Sequence, residues 1–174
     1  MINSLDIYNE ANTLVNLCGT RDTLKIAQEI GIKVGFSHEF NDLLGLYTYK
    51  WKHRIILLND KLDEYMLQMV CGHELGHDAR HREYAKSDGL KEFVLFNMTD
   101  RTEYEANAFC SHILLDDKEV CSLAHQGYDV IQMSKICCTN VNLMLIKLQE
   151  MNAIGYDYRI PFNADNRFFR KITT

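Results

Sequence analysis

Cys71-Gly72-His73-Glu74-Leu75-Gly76-His77 decides how the rest of the chain is read. It contains His-Glu-x-x-His, and residues 61–71 before it carry Leu62, Tyr65, Met66, Met69 and Val70 on one side at helical spacing. On a helix, positions four apart lie one above the other. His73 and His77 can therefore aim two imidazoles at one point, as a tetrahedral Zn²⁺ requires. Glu74 lies about 100° round from His73. It is expected to flank a metal rather than bind it, where a base for the attacking water belongs.

Two His and a Glu leave the set one protein ligand short, and the run 102–115 offers it. Ala106, Phe109, Cys110, Ile113 and Leu114 form an apolar stripe there, while Glu103 and Asn107 share a neighbouring face one turn apart. A carboxylate from this helix completes His₂Glu and leaves a fourth position for water, the pattern of catalytic rather than structural zinc. Asn107 is a candidate hydrogen-bond support for a ligand. Glu105 competes with Glu103, because periodicity alone does not fix the helix rotation. His81 falls one turn beyond His77 but about 12 Å along the axis from His73, too far to share one ion. It is read as exposed, or at most as a support behind the ligands.

Around these stretches the pattern predicts an α+β fold, with a small antiparallel three-stranded sheet packed on a mostly helical domain. Helices are expected over 4–17 and 22–30, the second ending at Gly31. A strand over 32–36 precedes a hairpin of 44–49 and 54–58 with Trp51 at its tip, where a substrate contact and packing on its neighbours are the two readings and packing is the favoured one. Asn59 or Asp60 is expected to cap the motif helix. Lys86-Ser87-Asp88-Gly89 reads as a turn, and the apolar run 93–96 as a cover for the cleft. Asp116 and Glu119 suggest a capping box. Helices over 129–136 and 141–151 around a short turn resemble a helix-turn-helix, but their charges balance, so core packing is expected rather than DNA contact.

With 174 residues, 47% hydrophobic and 25% charged, the chain fits one soluble domain over 1–174. Its core is placed at about 22–119, with C-terminal helices at 129–152 and a weakly ordered tail at 163–174. The net charge of −5 argues against a nucleic-acid surface. No leader-like start is seen, so the six cysteines are read as reduced thiols of a cytoplasmic protein.

The two motifs together resemble the ImmA/IrrE family of metallopeptidases from bacteria and their mobile elements. The matching pieces are His73-Glu74-Leu75-Gly76-His77 and Glu103-Tyr104-Glu105-Ala106-Asn107-Ala108-Phe109 with Leu114-Leu115. Cys110 departs from the usual Ala, and Asp116-Asp117 from Met-Pro; neither position is in the metal set. The resemblance implies a zinc-dependent protease of gluzincin-like fold, with His73, His77 and Glu103 on the metal and Glu74 as the catalytic base. This favours Glu103 over Glu105. His112, Tyr104 and Tyr84 are candidate donors to the oxyanion. The resemblance also implies a protein substrate, a helix-turn-helix repressor of a phage or mobile element. The alternative is a non-cleaving, repressor-binding or toxin–antitoxin-associated module of the same fold.

Overall fold

The structure, a computed structural model, describes residues 2–86, 90–92 and 100–161. Residues 87–89 of the turn expected at 86–89, the cleft-covering run 93–96 and the tail 163–174 lie outside these. Two N-terminal helices, α1 (Ser4–Cys18) and α2 (Thr23–Glu29), lead into the strands β1 (Lys33–Ser37), β2 (Gly45–Lys50) and β3 (His53–Asn59). Then follow α3 (Glu64–Arg80), β4 (Leu90–Glu92), α4 (Arg101–Leu114), α5 (Asp117–His125), α6 (Val130–Ile136) and α7 (Val141–Ala153). No helix among the described residues is long and apolar enough to cross a membrane.

The α+β class stands, but the sheet is mixed and, among the described residues, has four strands in the order β1-β3-β2-β4. β2 and β3 form the expected hairpin, whose turn residues Trp51 and Lys52 take the positive φ of a two-residue loop. That hairpin inserts β3 between β1 and β2, so β3 runs parallel to β1 while β4 pairs antiparallel with β2. Trp51 is 86% exposed and does not pack on its neighbours as expected, because the tip projects beyond the sheet.

β3 extends to Asn59, so the motif helix starts later than the sequence suggested. Asp63 is its N-cap, accepting from the Met66 amide. Asn59 instead donates through Nδ2 to the carbonyls of Phe40 and Leu43, pinning the loop that leads into β2. Asp116 caps α5, and a full reciprocal box closes between Asp129 and Gln132 at the start of α6. α7 is sunk in the core, with Leu143, Met144, Leu145 and Ile146 all buried. A DNA-reading helix needs an open face, and α7, the second helix of the pair, has none and serves packing.

Candidate metal centre

α3 and α4 pack face to face, and small residues let them approach. A Cβ on Gly76 would stand 2.7 Å from the Ala106 Cα, and one on Gly72 would stand 2.8 Å from the Cys110 Sγ. Each of these glycines precedes a motif histidine, so the closest helix contact lies beside the ligand face. On the sheet side, Tyr47 of β2 donates to Asp78 Oδ1 at 2.6 Å and Arg54 of β3 to Asp78 Oδ2 at 3.0 Å. Asp78 follows His77 directly, so this buried contact fixes the rotation of α3 against the sheet. A Cβ on Gly45, at the start of β2, would lie 2.7 Å from Glu74 Oε1. Glycine there lets the strand reach the buried Glu74.

These contacts bring His73, His77 and Glu103 together, their ligand atoms within 4.8 Å of one another. The two Nε2 atoms are 2.9 Å apart, and the Glu103 oxygens stand 3.3 Å from that of His73 and 3.5 Å from that of His77. Donors about 2.0–2.1 Å from one tetrahedral ion stand roughly 3.3–3.4 Å apart, so the spacing suits a metal of zinc's size. Among the described residues this is the one such group of three or more His, Cys, Asp or Glu. Glu105 points elsewhere: Arg101 Nε donates to its Oε1 at 2.7 Å, and Arg80 Nε and His81 Nε2 face its Oε2.

Proton positions strengthen the fit. His73 Nδ1 lies 2.9 Å from Asn107 Oδ1, an acceptor, so the ring proton sits on Nδ1 and the Nε2 lone pair faces the cluster. Burial lowers the His77 pKa to about 4, so this ring is neutral at pH 7, as a ligand must be. Lone pairs and a carboxylate thus converge within 3.5 Å, an arrangement that a cation at their centre relieves.

Solvent reaches the group from the Glu103 side, whose side chain is 19% exposed, while His73, Glu74 and His77 are buried. His81 differs from its reading: it is 4% exposed, with Nδ1 3.0 Å from His77 Nδ1, because α4 covers this turn of α3. Of the three oxyanion candidates, Tyr104 donates to Glu150 at 2.6 Å and His112 faces Lys147 Nζ at 3.0 Å. Both polar groups are engaged away from the ligands. Tyr84 is exposed beside His81, ring centroids 6.3 Å apart.

The sequence profile of the IrrE N-terminal-like domain, Peptidase M78, matches residues 27–136, more than half of the chain. The "Uncharacterized immunity region protein 2" of Bacillus phage phi105 is 33% identical over 104 residues, 60% of this chain. The match spans 65% of that phage protein's length. Both motif helices lie inside the profile match, and the chain therefore belongs to Peptidase M78, the ImmA/IrrE family of metallopeptidases.

Proposed function

We propose that the chain is a zinc-dependent endopeptidase in which His73, His77 and Glu103 hold the metal and Glu74 is the catalytic base. The observation that carries this reading is the convergence of two imidazole lone pairs and a carboxylate within 3.5 Å. Zinc held there would supply a Lewis acid for the scissile carbonyl and would make water acidic enough to lose a proton near pH 7. Glu74 takes that proton as water attacks the carbonyl carbon, then returns it to the leaving amine nitrogen as the C–N bond breaks. His73 and His77 stay neutral, each with its Nδ1 turned to a polar group behind it.

The substrate is an extended segment of a protein. β4 is the outermost strand beside β2 among the described residues, and its Glu92 pairs with Gly45, the residue against Glu74. A peptide added along the outer edge of β4 gains main-chain hydrogen bonds from the sheet whose strand β2 touches the base. The phage relative is named for an immunity region, which supports a repressor of a phage or mobile element, of the helix-turn-helix kind, as the substrate. The six cysteines are free thiols, which suits action in the cytoplasm.

The test is Glu74→Gln in the full chain, co-expressed with the product of the neighbouring gene. The variant is expected to keep one zinc per chain and to leave the repressor whole, while the parent yields fragments that mass spectrometry locates. Fragments from Glu74→Gln would remove Glu74 from its role. A parent that holds zinc and binds the repressor without cutting it would replace the hydrolase with a binding module.

A further inference from the structure

Behind the two histidine ligands stand different groups. His73 has an amide oxygen, whereas His77 has a second imidazole with a carboxylate behind it: His77 Nδ1 to His81 Nδ1 is 3.0 Å, and His81 Nε2 to Glu105 Oε2 is 3.3 Å. An Nδ1–Nδ1 contact is a hydrogen bond only if one nitrogen carries a proton and the other does not. His77 turns its Nε2 to the ligand cluster, so its proton is on Nδ1 and that of His81 cannot be. A neutral His81 then has its proton on Nε2, aimed at Glu105. Glu105 is in turn held by Arg101 at 2.7 Å and by Arg80, which also donates from Nη1 to Glu10 at 2.8 Å.

We propose that His81 is a positioning residue for the metal centre, a one-way hydrogen-bond link through which Glu105 fixes the tautomer and ring orientation of His77. It rests on the metal-binding reading above. The link runs His77 Nδ1–H to His81 Nδ1, then His81 Nε2–H to Glu105. His77 and His81 are four positions apart, about one helical turn, with His81 as the C-cap of α3, so both rings stand on one side of the helix end and the link costs no loop ordering. Glu105 comes from α4, two residues after Glu103, so the same helix supplies one ligand and the far end of the support for another.

The experiment measures zinc affinity of the full chain by competition with a chromophoric chelator, and the visible spectrum of the cobalt-loaded form. His81→Leu fills the site but accepts no hydrogen bond, and it is expected to lose about 10–100-fold in affinity. His81→Asn places an amide oxygen near the former Nδ1 and is expected to recover most of that loss and the parent's cobalt spectrum. Equal affinity of parent and His81→Leu, or an asparagine variant no better than leucine, overturns the proposal. A purely packing role predicts that leucine is the better of the two. Long-range ¹⁵N NMR of imidazoles in the zinc-loaded parent tests the link without any substitution. It is expected to find His81 protonated on Nε2, and a proton on its Nδ1 overturns the link. A parent that takes up no zinc overturns the metal reading, and the link with it.

Discussion

Gly76→Ala adds one methyl group at the point where α3 and α4 come closest. On an exposed helix this change gains about 0.8–1.0 kcal/mol from propensity. Here the new Cβ would lie 2.7 Å from the Ala106 Cα, 2.8 Å from its oxygen and 3.2 Å from its carbonyl carbon, all backbone that no rotamer change can move. Carbon atoms pack at about 3.5 Å, so the helices must separate by roughly 0.8 Å. Overpacking of this kind costs about 1–3 kcal/mol, which outweighs the propensity gain and leaves a net loss of about 1 kcal/mol. For a chain of this length that lowers the thermal midpoint by about 2–4 °C. The ligands feel the same displacement, since Glu103 sits one turn before Ala106 on α4 and both histidines are on α3. Metal distances tolerate only about 0.2 Å, so zinc affinity is expected to fall by on the order of tenfold or more. The assay is calorimetry of the metal-free chain with chelator competition on the loaded one. A higher midpoint with unchanged affinity would refute the claim that this glycine sets the helix spacing.

Two further changes test the framework away from the ligands. Tyr47→Phe removes the donor to Asp78 Oδ1 and is expected to cost about 1–3 kcal/mol in urea denaturation; an unchanged midpoint would show that the contact does not hold the sheet on α3. His112 is buried beside the Lys147 cation, and burial first, then that charge, lowers its pKa from 6.5 to about 3. A base whose folded pKa is depressed takes its proton in the unfolded state first, so stability is full above about pH 6.5 and drains as pH falls from there towards 3. His112→Asn removes that titration, and its stability is expected to fall less between pH 6.5 and 4.5, by up to about 1 kcal/mol per pH unit. Identical pH slopes for parent and variant would contradict it.

How much of this was legible in the residues depended on the range of the interaction concerned. Helix periodicity placed His73, Glu74 and His77 on α3 and Glu103 on α4, because those relations repeat within a few residues. Which carboxylate faces the histidines was left open by periodicity alone, since it depends on how α4 is rotated, and that is set by contacts such as Gly76 against Ala106. The same distant packing buries His81, which looked exposed at the end of an amphipathic pattern because nothing local announces that α4 lies over it. The parallel pairing of β1 with β3 was missed because a hairpin signal describes two neighbouring strands and not where a third will dock. Asn59 reads as a cap in the sequence because capping residues and loop-pinning residues have the same chemistry, and only the length of β3 tells them apart.

The ligand set draws on two stretches of chain, α3 and α4, which β4 separates along the sequence. An ion bound there acts as a removable clasp, since it is held only while both helices are in place. Free metal at a hundred times its dissociation constant would add about 2.7 kcal/mol to the folded state. The lifetime of the protein in a cell would then follow the supply of its ion, so that metal starvation clears the chain through proteolysis as well as silencing it.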